Sequence, residues 1–562
     1  MIGSPGSLRA AMLARLGRER FDVLVVGAGA TGAGVARDAA LRGLRVALCD
    51  RGDFAGETSS HSSKLIHGGL RYLQYGDFAL VFEALSERRT LMRLASHLCR
   101  PLPFLFPAYA GLAPRLGTLG MGIALYNALA LYRPPVEGRR LSAHETLAVS
   151  PWLRAAGLQG AQLYVDCQTD DARLVLETAL DAEAAGAAVA TRVEVTRLER
   201  DRRGRVRAAR ARDVLTGDTF AIEALLVVNA TGPYSDVFDQ GRRNLRPTLG
   251  VHLVFDADRL PHGGRAQVLR SPRDGRLVFL LPAGARTMIG TTDTDWVAPD
   301  GSARSPRPGD RVAARASDVD YLLEVANHAF PPAALGPSDV VSTFAGLRPL
   351  IATAAHSTSA TSREHEIRLE RDGLITVMGG KLTTFRRMAE QTVDLAVESL
   401  RDHGFERSIG PCLTTVRPLP GGGEAPSLGE VELAPEVAKH LAQTYGARAR
   451  AVVDIFAGPF EAEGTWPVEL SARIDPELPY LWAEVLHAAR HERALEVEDV
   501  LTRRIPLFRD SRDQGIGAAA LTAALMAPLL GWTPAQGEQS VARYHARVAT
   551  SRGWQQRPTA LR

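Results

Sequence analysis

The stretch that most narrows what this chain can become is Gly27-Ala28-Gly29-Ala30-Thr31-Gly32. It stands between FDVLVV at 21–26, a short valine-rich run that reads as a buried strand, and VARDAALRG, which continues at helical spacing until Gly43 caps it. LRVALCD at 44–50 reads as a second buried strand, so the segment predicts a β-α-β unit with the glycines at its first turn. Each glycine has a physical task. The first permits the tight turn, the second lets backbone approach a pyrophosphate, and the third lets helix pack on strand. Asp50 lies eighteen residues beyond Gly32, where a carboxylate can accept hydrogen bonds from ribose hydroxyls. The pattern predicts a dinucleotide site and leaves NAD and FAD undivided.

The rest of the chain must be organised around that unit. At 562 residues there is material for about three to five domains. With 45% hydrophobic and 23% charged residues, neither wholesale disorder nor a polytopic membrane protein fits. The charge of +4 is small and dispersed, which argues against nucleic acid as a partner. Cys49, Cys99, Cys167 and Cys412 form no C-x-x-C pair, so a disulfide framework, a zinc knuckle and a dithiol site are not expected, and a reducing compartment is. The first twenty residues lack a long apolar core and do not read as a secretory signal, so a cytoplasmic chain is expected. Only three of the 67 basic residues are lysine, namely Lys64, Lys381 and Lys439. Where arginine serves as the generic cation, a surviving lysine invites a chemical explanation.

Residues 80–98 predict an amphipathic helix, and 116–132 is an uncharged stretch just short of a bilayer span, read as buried or interfacial. A helix is predicted at 174–186, strands over 189–230 and 248–295, a helix near 316–329, strands in VVSTFAGLRPL and GLITVMGG, and a helix from Thr383 onward. RPLPGGGEAPSLG at 417–429 is the clearest linker, followed by alanine-rich helical sequence. His487 and His491 have i, i+4 spacing without a third ligand, and no metal site is expected there.

The segment after Asp50 separates the cofactor possibilities. Thr58 to Leu73, TSSHSSKLIHGGLRYL, resembles the pattern TSS-x-SSKLIHGGLRYL of the FAD-dependent, quinone-linked glycerol-3-phosphate dehydrogenase family. The resemblance continues through YVDCQTDDARLVLETAL at 164–180, VVNATGPYSD at 227–236, MIGTTDTD at 288–295, FAGLRPL at 344–350 and VMGGKLTTFRRMAE at 377–390. It implies an α/β protein with a glutathione-reductase-like, Rossmann-type FAD domain assembled from 20–100, 180–245 and 340–400. A mixed-sheet substrate domain from 101–179 and 246–339 and a C-terminal helical domain over 415–562 complete the expected fold.

The implied reaction moves hydride from C2 of sn-glycerol 3-phosphate to FAD while a base takes the hydroxyl proton, giving dihydroxyacetone phosphate and passing electrons to a quinone. Arg71, Tyr72, Arg348 and Arg363 match family positions lining the substrate pocket, where forked guanidinium donors suit a phosphate. Lys381, at the start of a helix after Gly380, and Lys64, among serines, are expected at cofactor or substrate, and a lysine near flavin N1 can stabilise the reduced ring. Arg348 and Lys381 join the catalytic set. His252 matches the histidine of the family's G-S-H segment and is the expected proton acceptor, since imidazole titrates near working pH; the family serine is Val251 here. The implied cofactor contacts are Gly27, Gly29, Gly32, Asp50, Thr58, Ser59, Ser60, Ser63, Lys64, Leu65, His67, Gly68, Gly232, Gly380, Lys381, Leu382 and Thr383. Peripheral attachment to the inner face of the cell membrane is implied, and a homodimer stays open. So do two alternatives: an oxidase that hands electrons to oxygen and makes hydrogen peroxide, and a flavin-bound interaction protein without turnover.

Overall fold

The computed structural model describes residues 5–130, 138–238, 244–302, 304–352, 365–426, 428, 431–458 and 466–556. The predicted β-α-β unit forms at Arg20–Val26, Ala30–Leu41 and Val46–Cys49. It seeds a sheet ordered His365–Leu369, Leu374–Gly379, Thr219–Asn229, Arg20–Val26, Val46–Cys49, Ala188–Ala190. The last five of these strands run parallel, and Val193–Arg200 and Val206–Asp213 add an antiparallel meander to Thr219–Asn229. A parallel sheet must be covered on both faces, which is why FDVLVV is apolar throughout except for Asp22. Helices Ala30–Leu41, Asp171–Ala184 and Phe385–Asp402 cover one face. The other face is closed by the meander and by helix Pro5–Arg18, whose Leu16 is fully buried and whose Arg9 pairs with Asp213 at 2.8 Å. Each buried valine or leucine of the central strands contributes about 1.5–3 kcal/mol.

The second sheet has ten strands and is mainly antiparallel. Its path runs Thr294–Asp295, Thr248–Asp256, Arg286–Gly290, Leu277–Ala283, Ala266–Arg270, Arg100–Tyr109, Leu158–Gln168, Leu65–Ile66. Ser342–Arg348 pairs with the free side of Thr248–Asp256, and Arg140–Ser142 pairs with Leu158–Gln168. All nine residues of Thr248–Asp256 are buried. Alternation sends Leu249, Val251, Leu253 and Phe255 into a core shared with helix Ala316–Ala329, which leaves Thr248, Gly250 and His252 on the opposite face. Their partners in register are Arg348, Gly346 and Phe344.

The chain crosses between sheets inside segments that the sequence groups with one domain. Leu65–Ile66 and Ser342–Arg348 belong to the second sheet, and helix Asp171–Ala184, which straddles the expected boundary at 180, packs on the first. Local periodicity predicts an element but not its tertiary partner, and these crossings bring the two sheets' ends together. Beyond the linker, helices Pro435–Tyr445, Ala449–Ala457, Trp482–His491, Ile516–Leu530 and Pro534–Ser551 surround their own core.

Candidate active site

A cavity of about 1100 Å³ opens at the C-terminal ends of the parallel strands. Its floor is the glycine turn. Gly27 has φ +103°, and Gly32 packs so closely that a Cβ there would lie 1.7 Å from the Gly27 carbonyl oxygen. Gly29 differs: a Cβ would meet only Ser59 Oγ, at 3.0 Å, and otherwise project toward the cavity. Ser59 Oγ also accepts the Ala30 N–H at 3.0 Å, so the serine run is tied to the helix start. Asp50 accepts from the N–H groups of Ala28 and Gly52 at 2.6 and 2.7 Å; burial lifts its carboxyl above the ordinary value, with those two donors opposing. A glycine cradle, a helix start that lines the cavity and a carboxylate at the second strand's end are the donors and acceptors a dinucleotide needs, so the residues fit FAD.

Thr58, Ser62, Pro349 and Gly379–Leu382 are shared between this cavity and a smaller one of about 190 Å³. Into the smaller space project His252 and Arg348 from the second sheet and Ser63, Leu65 and His67 from the segment after Thr58; Lys381 and Thr383 enter from the loop before helix Phe385–Asp402. His252 Nε2 lies 2.9 Å from Ser63 Oγ, and its ring stacks on Phe344 at 4.6 Å. Its Nδ1 is buried with no hydrogen-bond partner among the described residues. Burial first, and then the Arg348, Lys64 and His61 charges, push the imidazole down to about 3. That corrects the expectation of a histidine titrating near working pH: the group is neutral there with a wide margin.

Arg348 ends its strand with its guanidinium anchored on Asp293 at 3.1 Å, Thr291 Oγ1 at 2.9 Å and the Thr292 carbonyl at 3.0 Å. MIGTTDTD is thus the cradle of the arginine. Lys381 Nζ sits 3.7 Å above the Tyr72 ring, a cation–π contact worth about 0.5–2 kcal/mol. Thr383 Oγ1 accepts the His67 N–H and donates to the His67 carbonyl, both at 3.1 Å, which pins the two predicted segments together.

Other predicted residues are placed differently. Lys64, with φ +55°, lines neither cavity; its ammonium pairs with Asp171, which also takes the Ser62 hydroxyl at 2.6 Å. A buried carboxylate on the helix that straddles the domains therefore explains the lysine. Ser60 and Gly68 also stand behind the walls, Gly68 donating to the Tyr126 hydroxyl at 2.7 Å. Gly232 lines the large cavity. Arg71 lies in the turn Leu70–Tyr75 with its side chain outside the described residues, as is all of Arg363. His487 lies 3.4 Å from Glu492, and among the described residues no three His, Cys, Asp or Glu side chains converge as a metal site.

Residues that no local pattern announces complete the walls. His61, the variable position of the serine run, lines the small cavity; its Nδ1 lies 2.6 Å from the Glu57 carbonyl and its Nε2 takes an N–H from Arg547 at 3.1 Å. Burial and Arg547 press its pKa down to about 3. Arg547 and Arg503 reach the large cavity from the C-terminal helices, and no local pattern announces such distant partners.

Residues 22–395 match the family model of FAD dependent oxidoreductases, and residues 412–537 match the C-terminal domain of alpha-glycerophosphate oxidase. The chain is 37% identical to a glycerol-3-phosphate dehydrogenase of Mycobacterium leprae, over 96% of this chain and 90% of that protein. It resembles the crystal structure of the glycerol-3-phosphate dehydrogenase from Bacillus halodurans complexed with FAD, with TM-score 0.76 and 29% identity over 97% of this chain and 98% of that one. An L-alpha-glycerophosphate oxidase from Mycoplasma pneumoniae, with FAD bound, shares the fold over 70% of this chain and 96% of its own, at TM-score 0.54 and 18% identity.

Proposed function

Because this chain belongs to the FAD-dependent glycerol-3-phosphate dehydrogenase and oxidase family, we propose that it oxidises sn-glycerol 3-phosphate to dihydroxyacetone phosphate and passes the electrons to a quinone. The observation that carries this reading is the convergence of Arg348, Lys381 and His252 on one small cavity that shares a wall with the cofactor cavity. Bound FAD supplies the hydride acceptor. Arg348 and Lys381 give a dianionic substrate two cations, one forked and one compact. His252, neutral and beside Ser63, takes the C2 hydroxyl proton at Nε2. The cations that depress its pKa are partly neutralised by an arriving phosphate, so substrate raises its basicity at the moment it is needed. Arg71 and Arg363 complete the phosphate pocket in this proposal.

His252→Gln is expected to slow anaerobic flavin reduction by about a hundredfold or more, with substrate binding changing far less. In the wild-type protein no limb near 6.5 belongs to this group. Its titration appears instead in stability: the unfolded state gains a proton below about 6.5 and the folded state only below about 3, so stability falls as pH drops through that window. Denaturation midpoints at several pH values should show a shallower fall for His252→Gln. A variant with near wild-type reduction rate rejects the base assignment.

The quinone acceptor is supported by the surface. Helix Leu116–Leu129 has no charged residue; it buries Leu119, Ile123 and Tyr126 and leaves Met121 69% and Leu125 41% exposed. Beside it, Phe78 and Phe82 on helix Phe78–Leu94 are 47% and 44% exposed. Such a patch suits the boundary of a bilayer that holds quinone. Among the described residues no helix is long and apolar enough to cross a membrane. Turnover with a soluble quinone should exceed oxygen uptake in an oxygen electrode; hydrogen peroxide formed in step with dihydroxyacetone phosphate, whether or not quinone is present, favours the oxidase reading instead.

A further inference from the structure

One of the places where the C-terminal helices meet the cofactor cavity is a loop. Residues Asp50–Glu57 form the wall beyond the second parallel strand, and Ala55 in that loop holds φ +53°, a conformation that an alanine keeps only under tertiary restraint. On one side the loop is tied to the glycine turn, with the Ala55 N–H donating to the Ala28 carbonyl at 3.1 Å. On the other side lies Asp53, 1% exposed, whose carboxylate is held by two guanidinium groups from the far domain. Arg503 Nε donates to Oδ2 at 2.6 Å and Arg504 Nη2 to Oδ1 at 2.9 Å. Both arginines sit on the π-helical turn Val500–Arg504, a geometry that recurs at functional sites.

The network is closed by groups on both bodies. Arg503 also donates to Asp499 at 2.7 Å, Asp499 binds Arg192 of the cavity wall, and Arg504 donates to the Glu492 carbonyl at 2.8 Å. The two guanidinium charges outweigh burial and hold the Asp53 carboxyl well below its ordinary range. Removing one partner of such a pair leaves the other charge buried and uncompensated, so the loop and the C-terminal turn are energetically coupled through Asp53. Another ion pair between the same bodies, Arg493 with Glu183, lies away from the cavity.

We propose that the C-terminal domain is a working part of the cofactor site, in which Arg503 and Arg504 lock the Asp50–Glu57 loop through Asp53 and so govern FAD retention. Arg504 does not line the cavity and acts only as a positioning residue. The proposal rests on FAD occupying the large cavity. Linkage makes the effect reciprocal: bound FAD stabilises the docked C-terminal turn as much as that turn stabilises bound FAD.

The test is FAD release from the purified holoenzyme, followed by the rise in free-flavin fluorescence after dilution. Arg504→Gln and Asp53→Asn should each accelerate release about 5- to 150-fold, the usual range of coupling between sites. The double variant should release no faster than the quicker single one. Arg493→Gln should release at the wild-type rate. Hydrogen exchange on the wild-type protein supplies a readout that needs no variant: removing FAD should speed exchange at Val500–Arg504. Wild-type release from a folded Arg504→Gln protein, or unchanged exchange in that turn, would overturn the proposal. A wild-type protein that holds no FAD at all would overturn the cofactor reading and the proposal with it.

Discussion

Gly29→Val is expected to purify as a folded, colourless protein, whereas Gly32→Val is expected not to fold. The two glycines belong to one motif but meet different surroundings. A Cβ at Gly32 would lie 1.7 Å from the Gly27 carbonyl oxygen, backbone against backbone at the crossing of helix and strand, and nothing there can move without opening the sheet. At Gly29 the nearest atom is a serine hydroxyl that can rotate, at 3.0 Å, and the added side chain enters the space where backbone must approach the pyrophosphate. Flavin absorbance and circular dichroism on the same samples separate the outcomes. A yellow Gly29→Val protein would move the cofactor elsewhere.

Arg348→Ala is expected to lower kcat/KM for glycerol 3-phosphate by about thirtyfold to a few thousandfold, since truncating one partner of a buried charge pair costs about 2–5 kcal/mol. The lower part of that range is favoured because the side chain is 21% exposed and already paired with Asp293. Arg348→Lys should recover only part of the loss, because a compact ammonium cannot serve Asp293, Thr291 and the Thr292 carbonyl together while facing substrate. Flavin content should be unchanged in both variants. Unchanged catalytic efficiency in both would remove Arg348 from the site.

What the sequence made legible was local. The glycine turn, its flanking strands and Asp50 lie within thirty residues, and their chemistry is carried by spacing alone. The face on which His252 and Arg348 stand follows from alternation once the strands are known, although nothing in the sequence says that Thr248 pairs with Arg348. The scarcity of lysine singled out Lys64 and Lys381 for the same reason, yet they have different roles. Lys381 lines both cavities, and Lys64 turns to Asp171, a carboxylate delivered by a helix whose tertiary neighbours cannot be read from its period. His61 with Arg547, and Asp53 with Arg503, pair across more than 400 residues and leave no local trace.

One stopped-flow measurement tests the proposed oxidation most directly: the holoenzyme is mixed without oxygen with glycerol 3-phosphate, carrying either hydrogen or deuterium at C2, while flavin absorbance is followed. The predicted result is full bleaching of the oxidised flavin, one dihydroxyacetone phosphate formed per flavin, and slower bleaching with the deuterated substrate because C2–H cleavage is part of the step. Flavin that stays oxidised at every substrate concentration would contradict it.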